Sequence, residues 1–192
     1  AAIIAQARFF LQFGKNATET IVLNDLIRND PFPGLKCNLS VVTPPRGLSA
    51  SADTGVTDPR WAYDASNGAG RRPAFSSETA FLQDCIFHLD GAGRAFVALR
   101  PSFTTGRSFA NLRRRVVADG VVEAIVSLPR RQLRDTSIPI DIWVLSKVEG
   151  RNHVHLIDCA SATEGMAQEG LPVYLSEPLN GYADGKYRWV DV

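Results

Sequence analysis

Leu39-Ser-Val-Val-Thr-Pro-Pro-Arg-Gly47 decides the reading of this chain. Its first half, Leu39–Val42, is short, apolar and β-branched, the composition of a strand. The run then meets a polar residue and two prolines. Proline fixes φ and has no amide hydrogen, so Pro44-Pro45 ends the strand in a rigid corner with its neighbours' carbonyls turned outward. Such a corner holds the Thr43 side chain and a carbonyl together at a strand end. Taken alone, it is also what an ordinary turn looks like.

Downstream, residues 47–75 are rich in Gly, Ser, Ala and Asp and show no period, which marks either a long functional loop or disorder. Trp61 and Tyr63 are its large anchors. Glu78–His88 carries Phe81, Leu82, Cys85, Ile86 and the adjoining Leu89 on one side, predicting a helix that faces a core. Asp90-Gly-Ala-Gly93 reads as a turn and Arg94–Leu99 as a strand. Phe109–Asp119 reads as a helix that Gly120 terminates. Val121–Leu128, Ile138–Val148 and Val154–Ile157 read as further strands. Upstream, Ile3, Ala7, Phe10 and Leu11 form one apolar helix face with Gly14 as its stop. Thr20-Ile-Val-Leu23 reads as a strand with Asn24-Asp25 at its end, and Asn29-Asp-Pro-Phe-Pro-Gly34 is turn chemistry.

Strands thus alternate with helices, and several are continuous apolar runs suited to burial on both faces. The fold class is α/β, a layered sheet. Ligands gather at the carboxyl ends of such strands, which here are Asp25, Thr43–Arg46, Arg100–Ser102 and Pro129–Arg131. Residues 1–160 read as one domain and 161–192 as a C-terminal extension or linker. Tyr174, Tyr182, Tyr187 and Trp189 are positioned to pin that tail.

Composition bounds the function. A chain of 192 residues with 21 Lys and Arg against 20 Asp and Glu has a net charge of +1. That argues against a wholly basic nucleic-acid coat but permits a local basic face. With 45% apolar residues a packed core is available. No apolar run is long enough to span a bilayer, and Ala1–Gly14 lacks the secretory pattern. Without an initiating Met, the numbering is expected to begin inside a longer gene product. Cys37, Cys85 and Cys159 are scattered and odd in number, which points to reduced thiols in a cytoplasmic protein. His153 and His155 share a strand face near Cys159, but no fourth ligand accompanies them, so no metal site is expected. Arg130, Arg131 and Arg134 lie on a loop at a strand's carboxyl end, where they would neutralise phosphates. Arg113–Arg115, consecutive on a helix, point in different directions and read as a solvated face.

The ordered set of segments from Asp30 to Lys147 resembles the DNA adenine-N6 methyltransferase subunit of type I restriction-modification systems. It comprises Asp30-Pro-Phe-Pro-Gly-Leu-Lys36, the strand ending in Thr43-Pro-Pro-Arg-Gly47, and Asp58-Pro-Arg-Trp-Ala-Tyr63. Thr79-Ala-Phe-Leu-Gln83, His88–Ala95, Glu123–Pro129, Thr136-Ser-Ile-Pro139 and Ile142-Trp-Val-Leu-Ser-Lys147 complete it. The resemblance implies a Rossmann-like S-adenosylmethionine-dependent sheet flanked by helices. In that family the corner is Asn-Pro-Pro followed by Phe or Tyr. The target adenine is rotated out of the duplex above it, and its amino group donates to the Asn side chain and to the first proline's carbonyl. The lone pair so exposed attacks the cofactor's methyl group, and the aromatic residue stacks on the base.

Carried onto this chain, the catalytic positions are Thr43, Pro44, Pro45 and Arg46, and Asp25 stands where an acidic residue contacts the cofactor's adenine. Two departures matter. Thr43 replaces Asn, offering a hydroxyl on a shorter arm, and Arg46 replaces the aromatic ring, offering a guanidinium to stack on a base. Losing one aligned hydrogen bond costs about 3 kcal/mol, roughly a hundredfold in rate or more, so the reading favours a weak or inactive methyltransferase. No glycine-rich cofactor turn precedes Asp25, so the sheet is expected to be incomplete on its N-terminal side. Residues 1–14 then correspond to the helix after the family's second strand, and 20–23 to its third strand. A longer natural chain, a different packing of residues 1–36, or a partner would account for the gap. The implied partners are DNA, a specificity subunit and a restriction subunit, with no membrane. The alternative is a non-catalytic relative that binds DNA or a partner subunit. Either way, the corner is expected to crown an inner strand.

Overall fold

A computed structural model of the chain describes residues 2–14, 21–22, 24–45, 49–51, 58–63, 74–132, 137–149, 151–159 and 187–191. For 2–3, 49–51, 74–75 and 187–191 only the backbone is described. The helices are α1 (Ala2–Phe13), α2 (Ser77–His88), α3 (Pro101–Thr105) and α4 (Ala110–Ala118). The strands are β1 (Cys37–Val42), β2 (Ser49–Ser51), β3 (Ala74–Ser76), β4 (Leu89–Leu99), β5 (Val122–Ser127), β6 (Asp141–Ser146), β7 (His153–Asp158) and β8 (Tyr187–Asp191).

Six strands form one sheet in the order β1-β4-β6-β5-β7-β8, and β2 and β3 form an antiparallel pair beside it. β1 runs parallel to β4, and β5 parallel to β7. The reversed strand β6 lies between β4 and β5, antiparallel to both. The apolar runs of β5 and β6 are buried along nearly their whole length, as strands covered on both faces require. Leu82 and Ile86 of α2, Phe103 of α3, and Leu112 and Val116 of α4 share one core with Val97, Leu99, Trp143 and Leu145. Trp143 meets the Phe103 ring edge-on at 5.2 Å, an arrangement the aromatic quadrupole favours.

The α/β reading holds, and so do β1, α2, α4 and the Asn29–Gly34 turn. Gly120 ends α4 at φ +68°, where an added Cβ would lie 3.2 Å from the Arg151 carbonyl. Several readings need correction. Ile21 and Val22 take a bend and irregular backbone rather than a strand, while Thr20 and Leu23 lie outside the described residues. β-branched composition favours extension, but a strand also needs a neighbour to pair with. Asp90–Gly93 belongs to β4 as a bulge: Cys37 pairs with Leu89 and Leu39 with Arg94, so Asn38 alone faces all four. A Cβ on Gly93 would sit 2.7 Å from the Cys37 carbonyl, which explains the glycine. β6 is shorter than Ile138–Val148, beginning only after Pro139 and Ile140. In α1 the described part of the expected apolar face is not buried: Ala7, Phe10 and Leu11 are exposed, and the Ile3 side chain lies outside the described residues.

Among the described residues β1 is the outermost strand of the sheet rather than an inner one. Leu39 and Val41, on one face of it, are 62% and 73% exposed. Of residues 161–192, Tyr187–Asp191 pairs antiparallel with β7 as the opposite edge. No helix among the described residues is long and apolar enough to cross a membrane.

In the 192-residue chain, urea unfolding will show Leu82→Ala destabilised by about 2–5 kcal/mol from lost burial and the cavity left behind. Leu39→Thr, at the exposed edge, will change stability by no more than about 0.5 kcal/mol.

Candidate functional site

Strands β1, β4, β5, β6 and β7 each present one end at a single edge of the sheet, and the residues there are Thr43–Pro45, Arg100, Asp141, Ser127–Arg131 and Asp158. Val42 pairs with Val97, so Thr43–Pro45 continue alongside the Arg100 end of β4. Pro44 is buried, and Thr43 and Pro45 are exposed. Arg46 lies outside the described residues.

The first turn of α2 grips this corner. Ser76 is the N-cap, its Oγ accepting from the Thr79 amide at 3.2 Å. Ser77 Oγ donates to the Pro45 carbonyl. Glu78, 2% exposed, takes Arg100 in a fork: Nε donates to Oε1 at 2.8 Å and Nη2 to Oε2 at 2.5 Å. Carboxylate and guanidinium match in this geometry, which is why Arg rather than Lys suits it. Next along the edge, buried Asp141 accepts from Thr104 Oγ1 at 2.5 Å and Ser127 Oγ at 2.9 Å. Trp143 Nε1 donates to the same Thr104 oxygen at 3.1 Å. α3 and the facing ends of β5 and β6 are thereby tied together.

A second polar cluster holds residues 25–35 against α2. Buried Arg60 donates from Nε and Nη2 to Asp58, the latter at 2.7 Å, and from Nη1 to the Leu26 carbonyl at 2.8 Å. Its Nη1 also lies 3.3 Å from Asp84 Oδ1. His88 Nε2 sits 3.3 Å from Asp30 and 3.6 Å from Asp84, while Nδ1 donates to the Leu35 carbonyl at 2.9 Å. Burial works to raise the Asp58 pKa, but the hydrogen bonds and charge of Arg60 outweigh it and hold the carboxyl below its usual value. Asp84 goes the other way: burial raises it, despite the opposing pull of His88 and Arg60. Burial also pushes the Cys85 thiol up to about 11, and none of Cys37, Cys85 and Cys159 is in a disulfide.

Asp25 is exposed and caps the turn that follows it. Its Oδ1 accepts from the Ile27 amide at 3.1 Å, and Oδ2 lies 3.5 Å from Arg28 Nε. Ile27 packs on Trp61 and Ala80 of α2. The carboxylate is thus oriented yet open to further donors. Arg130 and Arg131 are exposed on the corner's side of the sheet, three strand spacings from β1, or about 14 Å at the usual separation. Arg131 holds φ +66°, a left-handed conformation uncommon outside glycine. Arg134 lies outside the described residues. Arg113 is spent on the Phe103 and Gly106 carbonyls, both at 2.7 Å, and Arg115 on the carbonyls of Ala62 and Tyr63, so neither belongs to a free basic face.

Sequence reasoning placed Arg100 at a strand end but missed Glu78 and Asp141 as parts of this edge. Glu78 did leave a signal: four residues before Leu82 and seven before Cys85, it falls on the buried stripe of α2, where a charge needs a partner.

Comparison with known proteins follows this geometry. The N-6 DNA Methylase family model matches residues 3–171. The type I restriction enzyme HindI methylase subunit of Haemophilus influenzae is 27% identical over 134 residues, covering 69% of this chain and 29% of that subunit. A type I restriction-modification methyltransferase subunit from Streptococcus thermophilus aligns with a TM-score of 0.69 at 20% identity, over 87% of this chain and 37% of that one. The EcoKI M protein aligns with a TM-score of 0.60 at 18% identity, over 81% of this chain and 32% of that one. The two structural likenesses share the fold, and this chain spans about a third of each protein.

Replacing Arg60 with Gln leaves Asp58 and Asp84 without their cation and will cost about 3–5 kcal/mol at pH 7. Both carboxyls then have raised folded-state pKa values, so the penalty is largest at neutral pH. The gap between wild type and variant, measured by urea unfolding, will narrow as the pH falls toward 4.

Proposed function

We propose, from the premise that this chain belongs to the N-6 DNA Methylase family, that it forms part of a DNA-adenine methylating subunit with S-adenosylmethionine as methyl donor. The observation that carries this reading is the Thr43–Pro45 corner, held by α2 at the carboxyl end of β1 and flanked by Arg100. Thr43 would accept a hydrogen bond from the amino group of an extruded adenine through its hydroxyl, with the Pro44 carbonyl as second acceptor. The pair would orient the nitrogen lone pair toward the methyl group. Catalysis of this kind is mostly alignment, and small displacements are costly. Arg46 would lie against the base.

The cofactor supplies an electrophilic methyl on a sulfonium. On this chain the residue that fits it is Asp25, whose exposed, turn-fixed carboxylate suits a hydroxyl or amine donor. Asp25 would supply only part of the contacts such a cofactor needs. Arg130, Arg131 and Arg134 would meet phosphates, giving affinity without sequence information. Partners in the manner of the type I relatives, a specificity subunit and a restriction subunit, belong to the same proposal, as does the placing of 1–160 as the methyltransferase-like domain and 161–192 as its extension. Thr43 and Arg46 in place of Asn and an aromatic ring make transfer weak.

The test is calorimetric titration of S-adenosylmethionine followed by methyl transfer to unmethylated DNA, with the product identified as N6-methyladenine. Residues 1–192 alone will not bind the cofactor. Thr43→Asn with Arg46→Phe in that chain will give no transfer, whereas in a longer protein that supplies the cofactor's other contacts it will raise the rate about a hundredfold. Transfer by the bare double variant, or methylation at another position, contradicts the reading. Arg131→Asn suits the left-handed backbone, so it will leave stability within about 0.5 kcal/mol. The slope of log affinity for DNA against log salt will fall by about 1.

A further inference from the structure

Two consecutive side chains at the start of α2 reach two different strand ends. Ser77 Oγ donates to the Pro45 carbonyl, the last described atom group of the corner. Glu78 holds Arg100, the first residue beyond β4, by Nε at 2.8 Å and Nη2 at 2.5 Å. β1 and β4 are neighbours in register, so both grips close on the same gap. Ser77 and Glu78 are almost wholly buried, at 3% and 2% exposure, while the Arg100 side chain is 35% exposed. A buried carboxylate of this kind is costly unless fully paired. The pairing here fixes the helix start against β4, and the rest of α2 is rigid behind it: Leu82, Cys85 and Ile86 lie in the main core.

β1 has no strand on its outer side among the described residues. Its corner is therefore positioned from one flank by β4 and from its end by Ser77. We infer that Ser77 and Glu78 are positioning residues for the corner: Glu78 anchors the start of α2 to Arg100, and Ser77 transmits that anchorage to the Pro45 carbonyl, setting where Thr43 and Pro44 stand. Neither side chain touches the reacting atoms. The inference rests on the methyl-transfer reading for its functional consequence, but its structural content stands apart from it.

Four variants test it, Ser77→Ala, Ser77→Thr, Glu78→Gln and Arg100→Lys, each made in the full-length protein with its partners. Methyl transfer from tritiated S-adenosylmethionine to unmethylated DNA is measured beside the crystal structure of each variant. Ser77→Ala removes one hydroxyl and keeps the fold. The expected result is a kcat reduced about tenfold or more, with KM for DNA and for cofactor unchanged, and a corner displaced by about 1 Å. Ser77→Thr, which retains the donor, restores kcat and the corner's place. Glu78→Gln and Arg100→Lys lower kcat in the same pattern, because each breaks the fork. If Ser77→Ala leaves both kcat and the corner unmoved, or if it changes KM alone, the inference is overturned. If the wild-type protein transfers no methyl group, the methyl-transfer reading falls. The inference is then decided by the crystal structures alone: a displaced corner supports it and an unmoved one overturns it.

Discussion

Two adjacent parallel strands, β1 and β4, place the Thr43–Pro45 corner on which the functional reading of this chain rests. Their ladder runs from Leu39 opposite Arg94 to Val42 opposite Val97. Backbone hydrogen bonds in a ladder leave no freedom of level, so the end of one strand fixes the height of the other. Thr43–Pro45 therefore emerges beside Arg100, and the two prolines prevent the chain from continuing as a strand. The reversed β6 on the far side of β4 brings Asp141 to the same edge, where Thr104 and Ser127 satisfy it. Polar groups thus crowd one end of a sheet whose middle is apolar.

The two polar clusters serve different ends. Arg60 with Asp58 and Asp84, and His88 with Asp30, hold the segment carrying Asp25 to α2. Buried ionic groups of this sort contribute little net stability against an apolar substitute, but breaking one is expensive. The Glu78–Arg100 fork, smaller and nearer the corner, fixes a helix start between two strand ends. Both draw on α2, which reaches β1 through the Ser40 and Cys85 side chains 3.5 Å apart, and the Asp25 turn through Ala80.

How far this was legible in the sequence differs by element. β1 and its corner were readable because the apolar run and the prolines are local signals. So were α2 and α4, whose apolar spacings repeat over several turns. Thr20–Leu23 has strand composition but no visible pairing partner, and composition cannot supply one. Asp90–Gly93 has turn composition, which a bulge uses as readily as a turn. The reversal of β6 and its place between β4 and β5 were not legible, because apolar pattern carries no direction. The corner's position on an outer strand was missed because the composition of a strand does not say how many neighbours it pairs with. The Glu78–Arg100 pair joins residues that meet only because β4, which follows α2 directly, runs back along the helix to its start. Only the charge on a buried stripe announced that a partner existed.

The most direct test of the account is the structure of the protein bound to DNA and a non-reactive analogue of S-adenosylmethionine. The account predicts an adenine rotated out of the duplex, its amino nitrogen within hydrogen-bond distance of Thr43 Oγ1 and the Pro44 carbonyl, and phosphates beside Arg130 and Arg131. DNA bound with all its bases stacked, or an extruded base held away from the Thr43–Pro45 corner, would contradict it.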